Sequence, residues 1–360
     1  KRQPQLCFGQ LLAWGQYVIG LGLAGFILAP VFGVPPAFGN LLEIGFQGGH
    51  GTVGGMKESF DAQGWSEGVD LGLTVATAGM IIGVVIGMVL VNWAHRKGYV
   101  NEVVSFEDRQ VNERRGIHPL DCRPSAGRQT VLCDSIDSLA WHISIVGIAI
   151  GIGYLMRWGL QAAEVALFPD ASLRIFKGFP LFPLCMIGGV VLQNCVRTCK
   201  GDLLVDHGQM QRISGASLDY LVLAAVATIN LKVVAANWVP LLALIIGGTF
   251  LSLIMVLWLA PRIFKDALFE RSIAEFGQST GVTATGLLLL RTVDPESKTI
   301  ASPSFGYKQL LHEPFMGGGL WTAFAFTLVY AIGWLNVWLI SLAMFVIWAI
   351  IAFVLCKQNR

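Results

Sequence analysis

The chain has 360 residues, 54% of them hydrophobic and 13% charged, with a mean hydropathy of +0.63 and a formal charge of +2. Soluble domains carry about 25% charged residues, so this composition excludes a soluble globular protein and predicts an integral membrane protein. The basic residues are scattered over the links between apolar runs and form no patch for nucleic acid.

Apolar runs of about 20 residues, long enough for a hydrocarbon core of about 30 Å, recur along the chain and predict helices. The first spans 9–31 and ends in Pro30, with Pro35 and Pro36 just beyond. A broken stretch over 35–60 follows, centred on Gly48-Gly49-His50-Gly51-Thr52 and closing in Lys57-Glu58-Ser59-Phe60-Asp61. Each interior glycine costs a helix roughly 1 kcal/mol relative to alanine, so this stretch does not read as a plain span. A second span over 69–94 stops at His95-Arg96-Lys97. The long polar segment 98–135, with Arg109, Arg114, Arg115, Arg123 and Arg128 among acids, reads as a loop.

Spans three to six are expected over 137–160, 178–196, 213–231 and 238–260, the last ending at Pro261-Arg262. A second broken stretch, 264–291, contains Glu275-Phe276-Gly277-Gln278-Ser279-Thr280-Gly281-Val282-Thr283-Ala284-Thr285-Gly286. A polar link with Asp294, Glu296 and Lys298 leads to spans seven and eight, 316–334 and 336–356. The seven cysteines include no CxxC pair, and Cys195 and Cys199 have no histidine cluster near them, so they read as reduced thiols without a cofactor.

Basic residues follow spans two, four and six and close the chain, which places both ends on the cytoplasmic side. The two broken stretches then enter from opposite faces, the arrangement of inverted repeats that meet at the midplane. The expected fold is therefore an all-α polytopic membrane protein with about eight spanning helices and two broken segments. Residues 1–97 form a first, incomplete repeat, 98–135 a cytoplasmic loop and 136–360 a second repeat. Equivalence of the halves calls for two or three further helices upstream of Lys1.

Irregular backbone at membrane depth is tolerated where it lines a wet cavity or is buried in protein. Freed carbonyls and hydroxyls suit sodium, and half-helix N-termini suit a carboxylate. The candidate ligands are Gly49, His50, Gly51 and Thr52 in the first stretch and Ser279, Thr280, Gly281, Thr283 and Thr285 in the second. His50 is open to three roles: holding a substrate carboxylate, relaying a proton, or bracing the loop. Asn194 and Asp219 join the set as polar residues inside spans. No nucleophile–base pair or metal-spaced cluster points to an enzyme.

At these residues the chain resembles the bacterial sodium/glutamate symporter family. Gly48-Gly49-His50-Gly51-Thr52 is similar to the Gly-Gly-His-Gly-Thr signature of that family's first broken helix, and Phe276-Gly277 through Thr285 to its second. Val190-Val191-Leu192-Gln193-Asn194 and Ile213-Ser214-Gly215-Ala216-Ser217-Leu218 match in place and character. The family's proline in the second motif is Ala284 here, and the alanines after the first motif are Val53-Gly54-Gly55. The resemblance implies inverted repeats, a homodimer in the bacterial inner membrane, and sodium-coupled uptake of glutamate or a similar small carboxylate. The alternatives are another organic-anion carrier, driven by sodium or by protons through His50 or Asp219, and a non-transporting membrane scaffold.

Overall fold

The computed structural model describes residues 3–100, 117–118, 123, 125–132, 134–169, 176, 179–295 and 297–358. Arg109, Arg114, Arg115 and Glu296, which the sequence places in polar links, lie outside the described residues. Among the described residues the chain is all-helical. The principal helices are α1 (Gln3–Leu23), α2 (Gly49–Gly55), α3 (Glu67–Arg96), α4 (Ser138–Leu167), α5 (Phe182–Thr198) and α6 (His207–Thr228). They are followed by α7 (Trp238–Ile254), α8 (Leu268–Val293), α9 (Ala301–His312), α10 (Leu320–Ile332) and α11 (Trp334–Gln358).

Helices occupy the places of all eight expected spans. Five are long and apolar enough to cross a membrane: Gln3–Phe32, Glu67–Arg96, Ser138–Leu167, Trp238–Ile263 and Trp334–Leu355. Of the other three, α5 has 17 residues and α10 only 13, while α6 has 22 but is less apolar. One element was not expected. The polar link after 291 contains α9, whose Lys308 and His312 are fully buried.

The chain folds as two compact units, one of Lys1–Val103, Leu173–Pro180 and Ala225–Arg360, the other of Val104–Ser172 and Leu181–Ala224. In the second unit α4 starts at Asp137, whose carboxylate accepts from the Leu139 and Ala140 amides at 2.9 and 3.1 Å. That cap satisfies donors a helix start leaves orphaned. Gly153 and Gly188 let α4 and α5 approach closely, since a methyl at either would meet backbone of the other helix within 2.6 Å. His142 on α4 is buried, with Nδ1 on the Ser138 carbonyl and Nε2 accepting from the Asp206 amide at 2.8 Å.

Asp206 Oδ1 in turn accepts from the Arg128 amide at 3.0 Å and the Gln209 amide at 2.8 Å. These bonds, the Arg128 amide first, hold its carboxyl below the usual carboxylate range. A carboxylate whose folded pKa is depressed contributes stability above its unfolded value, about 3.9, and loses it as pH falls through the folded one. Amide-exchange protection at Arg128 and Gln209 is therefore expected to be full at pH 7 and to fall progressively as pH drops below about 4. Equal protection at pH 7 and pH 3 would contradict this.

In the first unit α1 is the central helix, with Phe8, Leu11, Leu12 and Tyr17 buried. Phe8, Phe264, Phe276 and Ile273 belong to one apolar core, with the Phe8 and Phe264 rings 5.1 Å apart. On α3, Gly79, Gly83 and Gly87 face α8, and a methyl on Gly79 would stand 2.2 Å from the Thr280 carbonyl. Small residues at four-residue spacing are what permits such approach between helices in lipid. α11 keeps most of its surface exposed, as a lipid-facing helix does.

Candidate functional site

Two helices of the first unit are broken, both at the points flagged by glycine. The first segment widens into a π-type turn over Ile44–Gly48 and breaks at Gly49, with φ 69° and ψ −166°. This region of backbone space is open essentially to glycine alone. The second break lies within α8, at Gly281 (φ −144°, ψ 41°) and Val282 (φ 63°, ψ 172°). A β-branched residue in the left-handed region is an outlier that surrounding structure must impose. The two breaks lie against each other: a methyl on Gly49 would be 2.3 Å from Val282 Cγ1.

A directed chain of hydrogen bonds ties the segments together. Trp14 Nε1 donates to Gln10 (3.0 Å), and the Gln10 amide to His312 Nδ1 (3.2 Å). His312 Nε2 then donates to Gln47 Oε1 (3.0 Å), and the Gln47 amide to Gln16 (3.1 Å). Gln16 closes the chain on the Ser279 carbonyl at 2.6 Å, two residues before the break. Because Gln10 offers an N–H to Nδ1, the proton on His312 sits at Nε2. Every member is buried, so each bond avoids the penalty of an unpaired polar group in apolar surroundings.

Glu43 lies fully buried just before the first break. Its carboxylate accepts from the Tyr17 hydroxyl (2.6 Å), the Gly317 amide (2.6 Å) and the Thr322 hydroxyl (3.0 Å). It thereby clasps the glycine-rich turn 317–319 onto the first broken segment. Deeper along α8, Glu275 pairs with Lys308 at 3.1 Å, both side chains fully buried.

The expected site residues fall as follows. His50 is buried, with Nε2 2.9 Å from the Thr77 hydroxyl on α3. That hydroxyl already donates to the Leu73 carbonyl, so the histidine donates through Nε2. Gly51 follows it in α2, and Thr52 donates to the Gly48 carbonyl at 2.9 Å. Ser279 and Thr280 are buried in the turn before the second break, each reaching the Phe276 carbonyl, and Ser279 also meets Ser252 at 3.2 Å. Thr283, just past it, is half-buried and donates to Glu313 at 2.6 Å. Thr285 is buried against Gly281 and Gly83. Asn194 and Asp219 belong to the second unit, on α5 and α6, and both are exposed.

The sequence reading missed Gln10, Gln16, Glu43, Gln47, Glu275, Gln278, Lys308, Gln309 and His312. For Gln10, Gln16, Glu43, Gln47, Glu275 and Gln278 a signal was present, since polar and ionisable side chains inside apolar runs are costly in lipid and mark function by default. Lys308, Gln309 and His312 lie in a polar link and carry no such signal.

A model of the sodium/glutamate symporter family matches residues 5–267, well over half of the chain. The chain belongs to that family. The symporter family is one of transporters and not of enzymes, and with the apolar helices it makes this an integral membrane protein. The matched residues take in the first break and stop short of α8, so the second break lies beyond them. No curated protein and no solved structure matches the chain.

Proposed function

We propose that the chain is a sodium-coupled symporter that takes up glutamate, or a similar small carboxylate, by alternating access. The observation that carries this reading is the meeting of the two breaks at Gly49 and Val282, inside one unit and far apart in sequence. Bare peptide groups from two helices are thereby brought to one place at which an ion and an anion can be held.

An internal echo supports a pair of repeats. Ala29-Pro30 follows the π-type turn Ala24–Leu28, and Ala260-Pro261 follows the π-type turn Met255–Leu259, each turn ending in leucine. Pro30 stands nineteen residues before Gly49, and Pro261 twenty before Gly281. The helices carrying the two motifs pack together, with Gly15 of α1 facing Leu251 of α7. Inverted topology of these repeats, a homodimer, cytoplasmic ends and the bacterial inner membrane complete the proposal.

Sodium is cargo here. Its ligands are the oxygens nearest the breaks, the hydroxyls of Thr52, Ser279, Thr280 and Thr285 and the neighbouring carbonyls, which suit a hard cation. Thr283, Gln309 and Glu313 form a polar group on the far side of Val282. There the Thr283 hydroxyl and the new helix start favour the substrate carboxylate, and Glu313 its ammonium.

In proteoliposomes, labelled glutamate should accumulate under an inward sodium gradient and not under a proton gradient of equal size. Accumulation driven by protons alone, or none with either gradient, would reject the reading. Thr283→Val should raise the half-saturating glutamate concentration about tenfold, the equivalent of one lost hydrogen bond; an unchanged constant removes Thr283 from the site.

A further inference from the structure

Lys308 is a fully buried lysine on a helix that the sequence does not mark as a span. Its ammonium has three donors and no acceptor, and three oxygens meet it: Gln309 Oε1 at 2.8 Å, Gln278 Oε1 at 3.0 Å and Glu275 Oε2 at 3.1 Å. Glu275 Oε2 has no other donor, while Oε1 takes the Gln5 amide at 2.8 Å. Two neutral amide oxygens and one carboxylate make a shell for a single monovalent cation. The space for it is made by Gly9, where a methyl would lie 2.1 Å from Lys308 Cε and 3.1 Å from Glu275 Oε2.

The position of this shell gives it a purpose. Glu275 and Gln278 stand on the half of α8 before the break, and Gln278 also approaches Gln47 of the first broken segment at 3.4 Å. Gln309 accepts from the ammonium through its oxygen and reaches Thr283, on the half after the break, through its amide. A positive charge at this point therefore ties together both halves of the second broken helix.

We propose that Lys308 is a tethered cation: its ammonium fills a monovalent-cation site that holds the broken helix in shape, and the site takes up a free cation once the side chain is cut back. The inference concerns ion binding alone and stands whether or not glutamate is the substrate. With the lysine in place the broken helix needs no dissolved ion here.

The test is thermal unfolding of the purified, detergent-solubilised protein in a buffer whose only other cation is the bulky N-methyl-D-glucamine. Lys308→Ala removes the equivalent of n-propylammonium, so that ion is the probe and 1-propanol its uncharged control. K308A is expected to gain a saturable rise in Tm of about 3 °C or more with n-propylammonium. Wild type, and K308A combined with Glu275→Gln, should gain less than about 1 °C. If K308A responds no more than wild type, or as strongly to 1-propanol, there is no cation site and the proposal falls. Should K308A not survive extraction, Lys308→Met keeps the stem and removes the charge. That variant should be stabilised by ammonium ion where wild type is not, and equal responses would again overturn the proposal.

Discussion

Gly49→Ala is expected to reduce uptake at least tenfold and to lower Tm by about 2–12 °C, on a scale of ~2–4 °C per kcal/mol. Two effects add. At φ 69° and ψ −166° any side chain is strained, by about 1–3 kcal/mol. The new methyl would also stand 2.3 Å from Val282 Cγ1, where the two breaks meet. Val282 cannot yield freely, because its own backbone sits at φ 63°. Adding Val282→Ala removes the colliding methyl and leaves the backbone strain, so the double variant should recover part of the stability and little of the transport. Uptake by G49A at the wild-type rate would show that the breaks do not form the transport site.

Glu275→Leu is expected to cost about 3–5 kcal/mol, because it strands a buried ammonium among neutral partners. The Lys308–Glu275 pair has no access to water on either side chain, so no solvent screens the loss. Replacing both residues, Glu275→Leu with Lys308→Met, leaves an uncharged pair of similar volume. Such exchanges of buried pairs are often neutral or stabilising, so the double variant should regain most of the loss. Unfolding of the three proteins in one detergent gives the comparison, and a loss below about 1 kcal/mol for E275L alone would mean that the pair is not buried as described.

Both results turn on residues that differ in how they could be found. Gly49 and Gly281 were legible, because a glycine that interrupts an apolar run reports a local backbone requirement. Val282 was not: a valine at positive φ breaks the local rule, and only the packing around Gly49 and α3 explains its holding that shape. His50 was flagged with three roles open. Only the tertiary structure shows its partner, Thr77 on α3, whose hydroxyl is already committed to the Leu73 carbonyl. Phe60, which stands among the charged residues closing the first broken stretch, is buried with its ring 4.7 Å from that of Phe326. A helix of six residues, Lys57–Ala62, turns its apolar side inward while Lys57 and Glu58 stay exposed.

Composition and hydropathy by themselves determined that the chain is a helical membrane protein, and glycine and proline marked where two of its helices are interrupted. Those properties are local: a span is a matter of length and apolarity, and a break depends on the residue that must adopt the bend. Tertiary structure alone decided which polar groups share a place. Gln5, Gln16, Gln47, Glu275 and Lys308 come from four separate stretches, and nothing in the sequence says which of them meet. Their pairing follows from close helix packing in a medium with no water to satisfy them, where every buried donor must find an acceptor on whichever helix lies beside it.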